Sequence, residues 1–339
     1  MNRLLENLSN THRSKIKSVK QPDWTSPMLA TLTDDYFSDK QWLYERKFDG
    51  ERALTFIHEG RVRLLSRNKK SLNATYPELI DQMEKQKHPM ILDGEIVAFS
   101  GKLTNFSRLQ QRIKIHSAQQ ARQSNIKVYY YIFDILFFDG YDLTALPLRV
   151  RKSLLKQAIN FSSGLRYTPH RNEHGKDFHK QACKKGWEGI IAKDAQSSYI
   201  HSRSEKWLKF KCVHQQELVI GGFTDPGGSR HGFGALLMGY YEKKRFHYAG
   251  KVGTGFDDTT LEDLKKKLKK LVTSTCPFEE KHEASAKGVH WVKPEMVAEI
   301  GFTEWTSDGR LRHPRYIGLR DDKNPEEVVR ENPQPVSRP

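Results

Sequence analysis

The chain has 339 residues, which is enough for about two domains, and 37% of them are hydrophobic, which supports a folded core. Its formal net charge is +16 at pH 7 and its isoelectric point is near 9.6. A positive excess of this size predicts a polyanionic partner, and nucleic acid before a membrane surface. No apolar run approaches membrane-spanning length and no signal-peptide stretch is found, so we expect no membrane association.

The positive charge is concentrated in two blocks. Residues 1–22 hold five Lys or Arg against one Glu, and residues 101–130 hold six with no Asp or Glu. Such blocks are usually solvated faces, but they also suit contact with a nucleic-acid backbone. The three cysteines, Cys183, Cys212 and Cys276, are odd in number and far apart. This pattern predicts a reducing compartment in which all three are structural or incidental.

A lysine and an arginine flank a predicted tight turn early in the chain. Lys47 follows an alternating run typical of a strand, the chain turns at Asp49 and Gly50, and Arg52 begins the next apolar run. On adjoining strands the two side chains can point into one cleft. Lys offers a nucleophilic amine once it is deprotonated, and Arg offers a fixed fork for a phosphate or a ribose. Taken alone, the segment fits a charged surface hairpin equally well.

From about residue 26 to residue 212, predicted strands alternate with modest helices. The apolar runs 90–99, 128–138 and 189–193 are typical of buried strands. Helical spacing of apolar residues predicts helices over 77–85, around 106–113, over 148–159, and around 178–182 with an end at Gly186. The pattern predicts an α+β domain with antiparallel-rich sheets.

After Lys211 the pattern changes to short strands separated by glycine turns. Strands are predicted at 217–223, 235–242, 245–252, 289–292 and 296–304, and a helix from Thr260 to Leu271. Five strands with one inserted helix predict an OB-fold β-barrel that the helix plugs. We therefore expect a basic N-terminal arm or cap at 1–25, the α+β domain at 26–212, the barrel at 213–329 and a flexible tail at 330–339.

Seven short motifs follow one another between Glu45 and Lys323. They occupy residues 45–52, 66–68, 92–97, 131–136, 187–193, 207–211 and 320–323. Their order and spacing resemble the covalent nucleotidyltransferases, and most closely the ATP-dependent DNA ligases. Residues 26–31 and 250–256 look most like the ligase domain of bacterial ligase D. The resemblance implies a nucleotidyltransferase (adenylation) domain followed by an OB-fold domain.

This resemblance implies a nucleophile and its electrostatic surroundings. Lys47 would attack the α-phosphate of ATP, form a lysyl–AMP phosphoramidate and expel pyrophosphate. Lys209 and Lys211 are two positions apart on one strand, so they share a face, and a triphosphate between them would relieve their repulsion. Close to Lys47, they would also lower the pKa of its amine.

Acidic and aromatic residues complete the implied nucleotide site. Glu95 and Glu188 lie on apolar strands, where burial without a partner is costly, so Glu95 is assigned to the ribose or the metal and Glu188 to the metal. Mg²⁺ suits such carboxylates, with Mn²⁺ as the alternative. Phe133 is assigned to adenine stacking, with core packing beside its neighbours as the rival interpretation. Asp93 precedes a glycine and is assigned to a turn. The remaining nucleotide-binding assignments are Glu45, Arg52, Lys193, Lys209 and Lys211.

Two assignments lie outside this pocket. The resemblance implies that Arg320 and Lys323, in the second domain, swing over the triphosphate and orient the pyrophosphate leaving group. Arg67 would reach the 5′-phosphate of a nick. The start of a charged helix and a surface turn, respectively, are the plainer alternatives.

Together these residues predict three transfers. ATP charges Lys47, AMP moves to the 5′-phosphate of a nick in duplex DNA, and the 3′-hydroxyl displaces AMP during DNA repair. An RNA ligase, a GTP-dependent mRNA-capping guanylyltransferase and a non-catalytic nucleic-acid-binding module are the alternatives. We expect a monomer in the bacterial cytoplasm, with a Ku-like end-joining partner as a further hypothesis. The polymerase and phosphoesterase domains of full-length ligase D do not fit within 339 residues.

Overall fold

The computed structural model describes residues 2–227, 231–280 and 288–335. The chain forms two compact units. Unit 1 contains the residues up to Cys212 together with those from Asn332, and unit 2 runs from Val213 to Glu331. Within the described ranges, no helix is long and apolar enough to cross a bilayer.

Unit 1 begins with short helices and then forms two sheets with helices on their outer faces. Its first elements are α1 (Arg3–Glu6), α2 (Asn10–Arg13), β1 (Lys17–Ser18), β2 (Leu29–Leu32), β3 (Asp39–Lys47), β4 (Glu51–His58), β5 (Arg61–Ser66), α3 (Pro77–Met83), β6 (Met90–Ser100), β7 (Leu103–Thr104), α4 (Phe106–Ile113) and α5 (Ala118–Gln123). They are followed by β8 (Val128–Phe138), β9 (Tyr141–Asp142), α6 (Leu148–Ala158), β10 (Leu165–Tyr167), β11 (His170–Glu173), α7 (Gly175–Lys184), β12 (Gly189–Asp194) and β13 (Arg203–Lys211).

The larger sheet has eight strands in the order β1-β9-β8-β6-β4-β5, with β10 beside β8 and β7 beside β6. The smaller sheet has the order β11-β3-β12-β13-β2. A core between the two sheets contains Leu54 and Phe133 of the larger sheet and Trp207 of the smaller one. Phe178 of α7 packs on the other face of the smaller sheet, against Tyr44. The sheets are antiparallel apart from the pairs β10–β8 and β13–β2, in agreement with the predicted antiparallel-rich α+β domain.

The two ends of the chain are more ordered than the sequence predicted. Leu5 is fully buried in the core of unit 1 and β1 pairs with β9, so residues 2–18 form part of this unit rather than a free arm. In the predicted tail, the amide of Gln334 donates to the carbonyl of Leu32 at 2.9 Å. The backbone carbonyl of Gln334 accepts from the hydroxyl of Thr33 at 2.7 Å. These two hydrogen bonds attach Gln334 to β2 and to the residue after it, whereas residues 336–339 of the predicted tail lie outside the described ranges.

Unit 2 has the element order predicted for an OB fold. Its elements are β14 (Gln215–Thr224), β15 (Leu236–Glu242), β16 (Arg245–Val252), α8 (Asp258–Lys269), β17 (Val272–Thr273), β18 (Val289–Gly301), β19 (Glu304–Trp305), β20 (Leu311–Arg312) and β21 (Arg315–Leu319). The main sheet has the order β16-β15-β14-β18-β17, with β21 beside β18. Leu261, Leu264 and Leu268 of α8 are buried in its core, which confirms the predicted plugging helix.

Candidate active site

The smaller sheet of unit 1 places the predicted nucleophile beside a second lysine. Lys47 is the last residue of β3 and pairs with Gly189 of β12, which pairs on its other side with Lys211 of β13. Residues paired directly across a sheet project to the same face, so Lys47 and Lys211 flank one glycine. Gly189 has a φ of 149°, and a Cβ there would lie 2.1 Å from the carbonyl oxygen of Phe210. This central position therefore requires glycine.

Alternate residues of the same three strands extend this face. Ile191 of β12 pairs with Glu45 on one side and with Lys209 on the other, and Lys193 pairs with Trp207. The intervening residues point the other way into the core under α7, and they are Tyr44, Ala192, Leu208 and Phe210. The alternation explains why the two predicted lysine positions of β13 share a face with Lys47.

Lys47 is in direct contact with Glu188. Its ammonium nitrogen meets the Glu188 carboxylate in an ion pair, and the side chains are 19% and 8% exposed, respectively. Glu188 immediately precedes β12, next to the glycine that pairs with Lys47. The sequence predicted lysines as the neighbours of Lys47, but the structure also places this carboxylate in ionic contact with it. Lys47 must leave this contact before its amine can act as a nucleophile, because the pair requires an ammonium.

Glu45 binds two buried lysines. Its Oε1 lies 2.5 Å from Nζ of Lys152, and its Oε2 lies 2.7 Å from Nζ of Lys193. Burial alone would raise the pKa of the Glu45 carboxyl, but the two ammonium groups outweigh it and hold the pKa below its usual range. Burial in turn lowers the pKa of Lys193, against the attraction of Glu45. The carboxylate is therefore held ionised in a site that excludes water.

Lys152 is a site residue that the sequence analysis missed. It lies on α6, is 1% exposed, and also donates to the backbone carbonyl of Thr168 at 3.1 Å. Its neighbour Arg151 is also buried and binds Asp134 through two hydrogen bonds of 2.8 and 2.9 Å. Two consecutive charges on an otherwise amphipathic helix were the available signal, but periodicity alone cannot tell which of them face inward.

We predict that Lys152→Met destabilises unit 1 and weakens nucleotide binding. The change leaves Glu45 with one of its two cations, and loss of one partner of a buried pair costs about 3 kcal/mol or more. Thermal unfolding and ATP titration would measure both effects. Lys156→Met is the matched control, because Lys156 lies on the same helix but is exposed. Adding Glu45→Gln to Lys152→Met should recover part of the stability without recovering ATP binding. Full stability of the single variant would contradict the prediction.

Arg52 is held by a network that includes Asp93. Its Nε and Nη2 donate to the two carboxylate oxygens of Asp93 at 2.5 and 2.6 Å, and its Nη2 also donates to the carbonyl of Met28 at 3.1 Å. The hydroxyl of Tyr199 donates to Asp93 at 2.6 Å and accepts from the amide of Met28 at 2.8 Å. Asp93 is fully buried in the middle of β6. Its assignment to a turn was therefore wrong.

Two aromatic rings, those of Phe133 and Trp207, lie next to the Arg52–Asp93 network and to Lys193 of the Glu45 network. The ring of Phe133 has the Arg52 guanidinium 4.6 Å from its centroid and Nζ of Lys193 at 4.1 Å. Trp207 meets Phe133 edge to face at 5.9 Å. Phe133 is only 7% exposed, so core packing and adenine stacking both remain open for it. Within the described residues, the buried Nε1 of Trp207 has no hydrogen-bond partner. A buried donor without a partner is uncommon, and contact with a water or a ligand would satisfy it.

The predicted metal ligands supply oxygen donors from two sheets. Glu188 lies beside β12, and Glu95 of β6 pairs with Arg52 of β4. Glu95 is half-buried and the Glu188 side chain is 8% exposed. Their carboxylates suit Mg²⁺, because this ion takes one or two protein carboxylates together with water and phosphate oxygens. A separate cluster of three possible metal donors, all within 4.8 Å of one another in the described part of the chain, is formed by His179, Cys183 and Cys212. The donor types of Glu95 and Glu188 fit a hard cation.

The remaining predicted site residues occupy other places. Arg67 is half-buried in the turn after β5. In unit 2, the Arg320 guanidinium is buried and donates to Asp322 at 2.9 and 3.0 Å and to Glu299 at 3.1 Å. Burial alone would lower the pKa of Arg320, but these carboxylates raise it well above its ordinary value. Nζ of Lys323 lies 2.9 Å from Glu217, and this lysine is 19% exposed.

Two surface expectations require correction. Arg112 belongs to the basic block 101–130, but its side chain is 1% exposed and binds Glu78 at 2.7 Å and the carbonyl of Thr75 at 2.9 Å. The cysteines were expected to be structural or incidental in a reducing compartment, but Cys183 and Cys212 form a disulfide. Cys276 is a free thiol. The separation of 29 residues gave no pairing signal, because the fold alone brings the end of α7 to the end of β13.

Comparison with known proteins agrees with this architecture. The ATP dependent DNA ligase domain family matches residues 27–211, and the ATP dependent DNA ligase C-terminal region matches residues 229–323. The fold is thus that of a nucleotidyltransferase domain followed by an OB-fold domain, as predicted. The chain belongs to the ATP-dependent DNA ligase family.

Its relatives include the multifunctional non-homologous end joining proteins LigD. The Pseudomonas aeruginosa protein is 35% identical over 324 residues, covering 92% of this chain and 37% of that protein. The Mycobacterium tuberculosis protein is 38% identical over 325 residues, covering 94% and 41%. This chain therefore spans about two fifths of these relatives.

Solved structures of the ligase domain are similar over their whole length. Mycobacterial DNA ligase D complexed with ATP and MES is 36% identical, with a TM-score of 0.65 over 92% of this chain and 100% of that one. The ligase domain of Mycobacterium tuberculosis LigD has the same identity and coverage, with a TM-score of 0.51.

Proposed function

We propose that this chain seals 3′-hydroxyl/5′-phosphate nicks in duplex DNA with ATP, through an AMP adduct on Lys47. The observation that carries the proposal is the row formed by Lys47, Gly189 and Lys211, with Glu188 in contact with the nucleophile. Once released from Glu188, a lysine beside further lysines is suited to attack a phosphorus atom, because the negative charge that develops there needs positive neighbours. Family membership supports the same reaction.

We assign the residues around Lys47 separate roles in this reaction. Lys209 and Lys211 neutralise phosphate oxygens, and Glu45 and Lys193 present a dry, charged surface to the nucleotide base. Arg52, fixed by Asp93, has its guanidinium oriented toward Phe133 for contact with the ribose or a phosphate. Glu188 and Glu95 would hold Mg²⁺, or Mn²⁺ in its place, and this ion would supply charge neutralisation on the triphosphate. Arg67 contacts the 5′-phosphate of the nick.

The names of the relatives support a role in DNA repair, because the LigD proteins are named for non-homologous end joining. We propose that this chain acts on nicked or broken duplex DNA, as a monomer in the bacterial cytoplasm. A Ku-like protein is the proposed partner at DNA ends.

The test is incubation with radiolabelled ATP or GTP and Mg²⁺, followed by a denaturing gel and by assay on nicked DNA and nicked RNA. We expect covalent label from ATP alone, and sealing of the nicked DNA. Label from GTP alone would favour the capping guanylyltransferase, and sealing of RNA alone would favour the RNA ligase. Binding without label would leave the non-catalytic nucleic-acid-binding module.

We further predict that the exposed part of the basic block 101–130 binds DNA phosphates. Arg108 and Lys114 are exposed, whereas Arg112 is buried and Arg122 binds Asp81 at 2.5 Å. Reversing Arg108 and Lys114 to Glu should reduce the slope of log affinity against log salt for nicked duplex by about 2. Binding isotherms at several salt concentrations would measure it.

The control reverses two exposed lysines of other helices, Lys156 and Lys180. It changes the net charge by the same amount. An equal fall of the slope in both double variants would mean that overall charge, and not this surface, determines DNA binding.

A further inference from the structure

A disulfide joins α7 to the end of the strand that carries Lys209 and Lys211. Cys183 lies in the last turn of α7, and Cys212 directly follows β13. Their Cα atoms are 5.2 Å apart. Cys212 is also the last residue of this part of unit 1. The covalent link therefore fixes the chain immediately after the candidate active-site lysine Lys211.

The contacts of this link reach both sides of β12. They meet the backbone of the sheet face that carries Lys47, Lys209 and Lys211, which we call the catalytic face. The amide of Cys212 donates to the carbonyl of Glu188 at 2.9 Å. Nε2 of His179, one turn before Cys183 on α7, lies 3.2 Å from the carbonyl of Lys211 and 3.5 Å from the sulfur of Cys183. Cys212 and His179, at and beside the disulfide, thus hydrogen-bond to the backbone of Glu188 and of Lys211, respectively.

Two cysteines and a histidine also form a ligand set that suits zinc. The contacts favour a disulfide over a metal site, because the two sulfurs are bonded to each other and Nε2 of His179 is already within hydrogen-bonding distance of Lys211. The His179 ring is fixed there by Tyr36, whose ring centroid lies 4.2 Å away. A zinc site would require this hydrogen bond to break and the sulfurs to separate.

We propose that Cys183 and Cys212 form a reversible thiol–disulfide site whose redox state controls how firmly Lys211 and Glu188 are held. Neither cysteine is buried, so a small thiol or disulfide can reach the pair. Disulfides in reducing compartments are usually transient and serve catalysis or redox sensing, which fits a link placed at the catalytic face.

The redox step balances with a low-molecular-weight disulfide as oxidant. One thiolate of the pair attacks this disulfide, forms a mixed disulfide and releases one small thiol. The second cysteine then attacks the mixed disulfide, closes the Cys183–Cys212 bond and releases the second small thiol, while the two protein thiol protons pass to the small thiolates or to solvent. Excess small thiol reverses both exchanges.

The oxidised form should be the better nucleotidyltransferase. With the link closed, the backbone around Lys211 and Glu188 is held in the geometry described above, and a prearranged site loses less freedom when it reacts. This activity expectation rests on the proposed function. We expect the oxidised protein to form the AMP adduct about five-fold faster than the reduced protein. This factor is at the lower end of the range usual for two energetically coupled sites.

The first experiment tests the site without any activity. The full chain is equilibrated in buffers of oxidised and reduced glutathione, quenched, denatured and counted for free thiols, and its zinc content is measured. We expect one free thiol at the oxidising end and three at the reducing end, with no bound zinc. Three thiols in every buffer, or one zinc per reduced chain, would overturn the proposal.

The second experiment links the site to the catalytic face. Hydrogen exchange of the backbone over residues 207–213 should be slower in the oxidised protein, and adduct formation from labelled ATP should be faster. Cys183→Ser and Cys212→Ser should each abolish both differences, whereas the control Cys276→Ser, in unit 2, should retain them. A native-like redox difference in either of the first two variants would exclude their disulfide as its cause.

The two experiments separate this proposal from the proposed function. If no redox state forms the AMP adduct, the ligase function fails, while thiol counting and hydrogen exchange still decide on the redox site. If the adduct forms at equal rates in both states and exchange over residues 207–213 is unchanged, the redox control fails and the ligase function stands.

Discussion

Replacing Lys47 by alanine should abolish formation of the protein–AMP adduct and the sealing of nicked DNA. The amine is the proposed covalent nucleophile, so its removal should lower the rate of adduct formation by at least about four orders of magnitude. The measurement is label from ATP retained on the denatured protein. The fold should persist, because the side chain is partly exposed at the end of β3.

Lys47→Arg sharpens this test. Arginine keeps the positive charge that faces Glu188 but remains protonated at any working pH, so it cannot serve as the nucleophile. Loss of the adduct in both variants, with normal thermal unfolding of Lys47→Arg, would separate nucleophilicity from charge. Label on Lys47→Arg protein would place the nucleophile elsewhere.

Glu188→Gln should slow the reaction and alter its dependence on Mg²⁺ without moving the adduct to another residue.

The sequence predicted the shared face of Lys209 and Lys211 because these residues follow strand periodicity. Their spacing of two puts both on one face of β13, where Lys211 pairs with the same glycine as Lys47. The motif order placed Glu188 next to that glycine. The sequence could not predict which carboxylate pairs with which lysine or arginine, because these contacts depend on the register between strands that are far apart in the chain.

The sequence did not predict the burial of Asp93, Lys152 and Arg112, and the physical reason is the same for all three. Asp93 before a glycine fits a turn as well as a strand, and only the pairing of β6 with β4 brings it to Arg52. Lys152 and Arg112 lie on amphipathic helices, where a long cationic side chain is normally exposed. Their burial depends on Glu45 and Glu78, respectively. Buried charge pairs and the disulfide are long-range features that local pattern does not encode.

The burial of Arg320 changes how the contribution of unit 2 should be tested. Its guanidinium binds Asp322 and Glu299, and all three side chains are less than 10% exposed. Arg320→Ala would leave two buried carboxylates without their cation, at a cost of about 3 kcal/mol or more. Loss of activity in that variant would report on the stability of unit 2 as much as on chemistry. Lys323 is the better probe, because its ion pair with Glu217, with side chains 19% and 24% exposed, is less buried than the Arg320 network.

Lys323→Ala should therefore slow the first step and spare the last one. If Lys323 acts on the pyrophosphate leaving group, its removal should lower the rate of adduct formation from ATP about 100-fold, a typical effect of losing one group that stabilises a charged transition state. A nick that already carries AMP on its 5′ end bypasses this step, and the variant should seal it at nearly the native rate. Glu217→Ala is the matched control, since it removes the ion pair but keeps the ammonium, and it should preserve both rates. Equal losses in the two assays for Lys323→Ala would instead assign this residue to DNA binding or folding, and the proposal that unit 2 contributes to the charging of Lys47 would lose its support.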